Sequence, residues 1–167
     1  MKKIEEILRK IITALLKIIH KDKQEGLVTS LVQFVKFGLV GVTNTVLSYI
    51  IIVLVLRILQ PYNVRWDYVA ALVVTFILTV AWSFFWNNKY VFKTDEGQTR
   101  NVWKALFKTY MAYGFTGIIL TNILSYLWID ALGISKYISP LINLIITIPL
   151  NFLINKLWAF KSEPASN

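Results

Sequence analysis

Four long stretches without a charged side chain constrain the fold of this chain more than any other feature. The stretches contain 20, 21, 21 and 19 residues and lie between Lys36 and Arg57, Asp67 and Lys89, Lys108 and Asp130, and Lys136 and Lys156. A helix needs about 20 apolar residues to cross a hydrocarbon core of roughly 30 Å. The sequence therefore predicts four transmembrane helices.

The composition agrees with a membrane protein and excludes several kinds of site. Hydrophobic residues make up 56% of the 167 residues, charged residues 16%, and the mean hydropathy is +0.58, which is typical of membrane proteins. The chain has no cysteine and a single histidine, His20, so disulfides, thiolate sites and histidine metal clusters are excluded. We expect no metal and no cofactor.

Lysine and arginine are distributed unevenly between the two ends of the predicted spans. With a cytoplasmic N-terminus, 15 of the 18 basic residues lie on the cytoplasmic side, and the opposite loops hold only Arg57, Arg65 and Lys136. Cytoplasmic flanks of membrane spans carry the excess of basic residues. The sequence therefore predicts that both termini are cytoplasmic. The anionic inner membrane surface also accounts for the net charge of +9, so no nucleic-acid partner is expected.

The first twenty residues, MKKIEEILRKIITALLKIIH, have the apolar spacing of a helix but too many charges to span a membrane. One face carries Ile4, Ile7, Leu8, Ile11, Ile12, Leu15 and Leu16. A helix of this kind lies in the headgroup plane of a bilayer, and its interrupted apolar run argues against a cleaved signal peptide. We expect an amphipathic membrane-surface helix within residues 1–25; a partner-binding helix is the alternative.

A short motif recurs at the end of the second and fourth predicted spans. SFFWNNKYVFK, residues 83–93, and NFLINKLWAFK, residues 151–161, match without gaps at Phe84 with Phe152, Asn87 with Asn155, Phe92 with Phe160, and Lys93 with Lys161. Four aromatic residues of the motif fit an interfacial belt that anchors the helix ends: Tyr90, Phe92, Trp158 and Phe160.

A fainter repeat relates the first and third spans, TNTVLSYI at residues 43–50 and TNILSYLW at residues 121–128. Because each repeat unit contains two spans, both units begin on the same side of the membrane and are parallel repeats. The predicted fold is an all-α membrane protein with four transmembrane helices. These form two parallel-repeat hairpins related by a pseudo-twofold axis along the membrane normal, preceded by the interfacial amphipathic helix.

With these motifs the sequence resembles the GtrA-like family, small four-helix bacterial membrane proteins of polysaccharide and cell-wall glycosylation. The resemblance covers residues 31–161 and is carried by FVKFGLVGVTNTVLSY, FFWNNKYVFK and PLNFLINKLWAFK. It implies a non-catalytic protein of the bacterial cytoplasmic membrane that transfers a polyprenyl-phosphate-linked sugar to the outer face for a glycosyltransferase. The N-terminal helix and the polar tail, residues 162–167, lie outside the resemblance.

Four lysines are candidate ligands for the phosphate of such a lipid. Each sits at the cytoplasmic end of a different span: Lys36, Lys89, Lys108 and Lys156. We expect a four-helix bundle to gather them into one basic ring, which suits a phosphate group. The alternative for each lysine is ordinary snorkelling combined with the positive-inside bias.

Asparagines form the second set of candidate ligands. They are Asn44 in the first span, Asn87 and Asn88 at the end of the second, Asn122 in the third, and Asn151 and Asn155 in the fourth. Asn87 and Asn155 recur at one motif position near headgroup depth, which favours contact with a sugar or a phosphate. Hydrogen bonding between helices is the alternative, and it is the preferred interpretation for Asn143.

Two functions from different classes remain. No Asp or Glu lies within the four uncharged stretches, which disfavours a proton-coupled exporter because such a protein needs a mid-membrane ionisable group. The first function is a translocase for a polyprenyl-phosphate-linked sugar. The second is a non-catalytic subunit that docks and orients a glycosyltransferase.

The GLVG segment, residues 38–41, permits close helix approach, within a hairpin or in a homodimer.

Overall fold

The computed structural model describes residues 2–18 and 25–164. His20 and residues 165–167 of the predicted polar tail lie outside the described residues. The α-helices are α1 (Lys2–Ile18), α2 (Glu25–Leu59), α3 (Asp67–Trp86), α4 (Val102–Gly114), α5 (Thr121–Tyr126) and α6 (Ser139–Ile154). Two short strands, β1 (Gln98–Thr99) and β2 (Glu163–Pro164), pair in antiparallel fashion.

Short irregular helices extend several of these elements. A 3₁₀ turn, Gln60–Tyr62, follows α2, and π-helical segments occupy Asn87–Val91, Phe115–Leu120, Leu127–Ala131 and Asn155–Ala159. In the described part of the chain, four continuous helices are long and apolar enough to cross a membrane: span 1 (Glu25–Tyr62), span 2 (Asp67–Val91), span 3 (Val102–Ala131) and span 4 (Ser139–Ala159). The predicted all-α fold with four spans is confirmed.

The four spans run alternately up and down, so one end of the bundle collects the beginning of spans 1 and 3 and the end of spans 2 and 4. We call this the basic end, since Lys36, Lys89, Lys108 and Lys156 all lie towards it. Short turns connect the spans at the other end, where Asn63 and Gly133 adopt positive φ angles of 47° and 66°. Such a left-handed conformation favours glycine and asparagine.

Both copies of the repeated motif end their span in the same way. The backbone N–H of Phe92 donates to the carbonyl of Asn87 at 2.8 Å, and that of Phe160 donates to the carbonyl of Asn155, also at 2.8 Å. These five-residue hydrogen bonds close the π-helical turns Asn87–Val91 and Asn155–Ala159, a form of helix that is rare outside single turns. The repeated sequence therefore corresponds to a repeated backbone conformation.

The aromatic residues of the two motifs build the core at the basic end. Phe84, Phe92, Phe152 and Phe160 are all buried, together with Phe37 of α2. The prediction that Phe92 and Phe160 belong to an interfacial belt is wrong, because both rings turn inwards and only 4% and 3% of their surface is exposed. Trp158, by contrast, is exposed, as an interfacial anchor would be.

Helix α1 packs against the beginning of α2 through part of its apolar face. Ile12 and Leu16 are buried in a cluster with Val28 and Val32 of α2. Three further apolar residues of α1 are exposed: Ile4, Ile7 and Ile11. The amphipathic helix thus divides its apolar face between the bundle and a second surface, and a bilayer at that second surface stays a prediction.

Candidate functional site

A cavity of about 400 Å³ lies between spans 1, 3 and 4. This volume falls in the range of small-molecule sites, roughly 300 to 1,000 Å³. On span 4 it extends from Asn151 to Leu144, which is about 10 Å along a helix. We call it the span cavity. It begins next to the basic end and reaches towards the middle of the bundle.

Glycines open the span cavity. Gly38 and Gly41 of span 1 and Gly117 of span 3 line it, and a Cβ atom added to any of the three would meet no other heavy atom within 4 Å. The prediction that the GLVG segment allows close helix approach therefore does not hold within this chain. The missing side chains leave room for a ligand instead.

Polar side chains line the span cavity at intervals: Thr45, Tyr113, Thr116, Thr147 and Asn151. The threonine hydroxyls donate to backbone carbonyls one turn earlier, as Thr116 does to Ala112 at 2.9 Å and Thr147 to Asn143 at 2.8 Å. Their oxygens keep acceptor capacity. The remaining lining is apolar, so the cavity combines an apolar surface with a few hydrogen-bonding groups, as small-molecule sites generally do.

A layer of buried polar side chains lies between the span cavity and the basic end. Asn87 and Asn155 are both completely buried. Tyr113 has its hydroxyl beside Asn87 and Ser83, but the geometry leaves the Asn87 amide and the Ser83 hydroxyl without hydrogen bonds. Unpaired buried amides are costly, and such groups are candidates for ligand contact.

The second asparagine of this layer is partly satisfied. Asn155 donates from its Nδ2 atom to the carbonyl of Asn151 at 2.8 Å and to the Asn151 Oδ1 atom at 2.9 Å, while its own Oδ1 atom is buried without a partner. Asn151 in turn lines the span cavity. The pair connects the buried layer to the cavity wall.

The four predicted lysines go to different partners and do not surround one of the described cavities. Lys36 is buried and donates to a carboxylate oxygen of Glu5 and to the carbonyl of Tyr90. Lys108 donates to the Trp158 carbonyl at 3.2 Å, and Lys156 donates to the Ser30 hydroxyl at 2.6 Å. The ammonium group of Lys89 lies over the rings of Phe85 and Tyr90. Their role as phosphate ligands stays a prediction.

The remaining predicted asparagines are scattered. Asn44 is half-buried and its Oδ1 atom has no hydrogen bond, whereas Asn122 is exposed and donates to the Ile118 carbonyl at 2.6 Å. Asn88 accepts a hydrogen bond from Arg100 at 2.8 Å. None of the three lines the span cavity.

Asn143 behaves as the interhelical hydrogen-bonding residue that the sequence predicted. It accepts from the Trp128 indole at 3.0 Å and donates to the Ser125 hydroxyl at 2.8 Å and to the Thr121 carbonyl at 3.4 Å. All three partners belong to span 3. Asn143 therefore joins spans 3 and 4, and this interpretation is confirmed.

The family comparison gives a specific result. The family described as "GtrA/DPMS, transmembrane domain" matches residues 36–160, which is most of the chain. The chain belongs to the GtrA/DPMS family. No curated protein and no solved structure matches it significantly.

Membership of the GtrA/DPMS family makes this chain a multi-pass membrane protein of glycosylation-related processes that involve lipid-linked sugars. Proteins of this family are in general not catalytic. The match begins at Lys36 and ends at Phe160, so it contains the first copy of the repeated motif, the second copy except Lys161, and the residues of the span cavity. Helix α1 lies outside it.

Several residues of this GtrA/DPMS domain escaped the sequence analysis. Tyr113 brings a hydroxyl to the buried layer, and Arg100 bonds to Asn88, to the Phe92 carbonyl and to Ser162 at 2.8, 2.8 and 3.0 Å. The sequence did contain a signal for two acidic residues, Asp95 and Glu163. Continuing the motif alignment by two residues pairs Asp95 with Glu163, and both acids line pockets at the basic end.

Proposed function

We propose that this protein carries a polyprenyl-phosphate-linked sugar across the bacterial cytoplasmic membrane for surface-polysaccharide or cell-wall glycosylation. The observation that carries this proposal is the span cavity, whose wall combines glycines, hydroxyls and Asn151 and which adjoins the buried amides of Asn87 and Asn155. A sugar needs several hydrogen-bonding groups, and the isoprenoid chain can stay in the lipid.

The energetic argument is that a polar headgroup crosses hydrocarbon only with partners. A charged group at the centre of a bilayer costs several kcal/mol, and unpaired hydroxyls add to that cost. The span cavity follows span 4 for about 10 Å and offers polar atoms there from Thr147 and Asn151. The buried amide of Asn87 lies near its inner end, beside Tyr113. Consumption of the sugar on the outer face would supply the gradient for net transport.

The proposed orientation puts the basic end at the cytoplasmic face. The excess of lysine and arginine at that end supports it, because cytoplasmic flanks are basic. Polyprenyl-linked sugar phosphates made on the cytoplasmic side would then meet the lysines first, and outer glycosyltransferases would receive the sugar at the opposite end. A homodimer is compatible with this arrangement.

The decisive experiment measures sugar exchange in proteoliposomes with a radiolabelled polyprenyl-phosphate sugar and a membrane-impermeant reagent. The variants Gly41→Leu and Gly117→Leu fill the span cavity without a clash at Cβ, so each should fold and reduce exchange to the level of protein-free vesicles. Gly26→Leu, at a glycine outside the cavity with equal space around its Cβ, is the matched control. Undiminished exchange in both cavity variants would refute transport through the span cavity.

The second candidate function is a docking subunit for a glycosyltransferase, and one observation favours it. Helix α1 is fixed to α2 by the Ile12 and Leu16 contacts and by the Glu5–Lys36 ion pair, yet Ile4, Ile7 and Ile11 stay exposed. A fixed helix with an open apolar row suits a partner as well as a bilayer. If docking is the role, deletion of residues 1–24 should abolish sugar transfer in cells, whereas the cavity variants Gly41→Leu and Gly117→Leu should leave it intact.

A further inference from the structure

Two pockets at the basic end occupy equivalent positions in the two hairpins. The first pocket lies between α1, α2 and the segment after span 2, and the second between α4 and the segment after span 4. Residues at corresponding motif positions line them, Lys93 and Lys161 and also Asp95 and Glu163. Each pocket also contains one lysine from the span before the motif, Lys36 in the first pocket and Lys108 in the second. The repeat of the sequence thus extends to a repeated pocket.

Lys36 in the first pocket and Lys108 in the second pocket make the same kind of contact. Lys36 donates to the carbonyl of Tyr90 at 3.3 Å, and Lys108 donates to the carbonyl of Trp158 at 3.2 Å. Tyr90 and Trp158 occupy the same position of the repeated motif. Each ammonium therefore neutralises the carbonyl end of a π-helical turn and keeps further donor capacity for a second acceptor.

In the first pocket, the second acceptor is a carboxylate. Glu5 of α1 accepts from Lys36, and this hydrogen bond holds the pKa of Glu5 below its ordinary value. Three cations and two carboxylates line that pocket, which has a volume of about 120 Å³. The position beside the Lys36 ammonium in the first pocket is therefore occupied by an anionic group, the Glu5 carboxylate.

In the second pocket, no carboxylate of residues 2–18 or 25–164 forms an ion pair with Lys108. This pocket is larger, about 260 Å³, and is lined by four cations against one carboxylate: Arg100, Lys104, Lys108 and Lys161 against Glu163. The pairing of β1 with β2 brings Glu163, and with it Lys161, next to the Arg100 segment. The pocket therefore carries excess positive charge where its counterpart holds Glu5.

We propose that the second pocket binds a phosphate group. A phosphate offers several acceptor oxygens to Lys104, Lys108 and Lys161. The pocket lies beside the N-terminus of α4, where the helix dipole favours an anion. Arg100 contributes charge, since its three hydrogen bonds to Asn88, Phe92 and Ser162 occupy most of its terminal donors. The phosphate belongs to a lipid at the membrane surface or to a soluble metabolite. The binding does not depend on transport through the span cavity.

The test is isothermal titration calorimetry of the purified full chain in dodecyl maltoside micelles, which carry no phosphate. The probes are inorganic phosphate and geranyl phosphate, with geraniol as the probe for the tail alone. The double variant Lys104→Gln, Lys161→Gln should weaken phosphate binding about tenfold or more. Both lysines are exposed, so the variant should fold, and its circular dichroism spectrum is the check.

Two single variants sharpen the result. Glu163→Gln should tighten phosphate binding about two- to fivefold because it removes a repulsive carboxylate. Lys10→Gln is the control: Lys10 lies on the exposed side of α1, where it pairs with Glu6. This variant removes one charge outside the second pocket and should leave phosphate binding unchanged. Binding of geranyl phosphate alone identifies a lipid as the source, and equal binding of inorganic phosphate identifies a soluble one. The proposal is overturned if the parent binds neither phosphate probe, or if the double variant binds as tightly as the parent.

Discussion

The rings of Phe92 and Phe160 stack at a centroid distance of 4.8 Å with an interplanar angle of 27°. They occupy the same position in the two copies of the motif. Around them the packing is reciprocal, since Phe84 contacts Phe160 at 5.5 Å and Phe152 contacts Phe92 at 5.7 Å. The two hairpins therefore meet through equivalent residues, as expected for a pseudo-twofold axis through the Phe92–Phe160 pair.

Truncation of either ring at this axis should destabilise the bundle. We expect Phe160→Ala to lower the free energy of unfolding by roughly 3 to 5 kcal/mol, the usual cost of removing a buried phenyl ring, and to lower the midpoint of thermal unfolding in detergent. Phe107→Ala removes the same ring from an exposed position and should change stability little. Equal losses in the two variants would contradict the central role of the pair.

Arg100 should be a stabilising link between the two hairpins. It joins Asn88 and Phe92, after span 2, to Ser162, after span 4. Hydrogen bonds from a charged donor contribute about 1.5 to 3 kcal/mol, so Arg100→Ala should lower the unfolding midpoint clearly. Lys104→Ala, at an exposed neighbour on the same face, is the comparison, and a midpoint unchanged by the loss of Arg100 would contradict this role.

The buried amide of Asn87 should matter more for function than for stability. Its side-chain amide is buried without a well-formed hydrogen bond, so replacement by leucine, which has the same branched shape but is larger, removes an unpaired polar group and should cost little thermal stability. Sugar exchange in proteoliposomes should fall. Asn143→Leu should do the reverse, because Asn143 bonds three groups of span 3 and interhelical bonds contribute roughly 0.6 to 2 kcal/mol.

Docking of α1 should weaken in acid. The pKa of Glu5 is lowered chiefly by its hydrogen bond to Lys36, so the stabilisation is present above the ordinary glutamate pKa and disappears as the pH falls through the lowered value. Spin labels on Ala14→Cys and Thr94→Cys in this cysteine-free chain should give a distance distribution that broadens in acid. Glu5→Gln should broaden it at neutral pH and remove the pH dependence; a distribution insensitive to both would refute the anchoring role.

The orientation of the bundle can be tested through the absence of cysteine. Thr94→Cys lies at the basic end and Ser135→Cys at the opposite end, and both positions are exposed. In intact bacterial cells an impermeant maleimide should label Ser135→Cys only, and permeabilisation should add Thr94→Cys. The reverse pattern would contradict a cytoplasmic basic end.

The number and approximate position of the spans could be predicted from the sequence because the requirement is one-dimensional. A hydrocarbon core demands a minimum length of uncharged chain, and charged residues such as Lys36, Arg57 and Lys108 interrupt the chain wherever a span approaches the surface. The repeated motif is also a property of the sequence, and it predicts two parallel hairpins. The structure adds that each copy closes a π-helical turn.

The partners of individual side chains could not be predicted in this way. A long lysine side chain reaches several elements, so the sequence alone could not separate Lys36, which meets Glu5, from Lys108, which faces the second pocket. The same aromatic residue at the end of a span can face either the lipid or the interior of the bundle, and its sequence context does not distinguish the two. Phe92 and Phe160 face the interior. Arg100 directly follows β1 and bonds to Ser162, which directly precedes β2.

The sequence by itself determined that this chain crosses a membrane four times as two related hairpins, because hydrophobic length and motif spacing are local properties. The tertiary structure alone decided where those hairpins leave a cavity, which amides are buried without partners, and which of two equivalent pockets holds a carboxylate. These outcomes depend on distances between residues far apart in the chain, such as Glu5 and Lys36 or Lys108 and Trp158. Such distances follow from packing and not from sequence order.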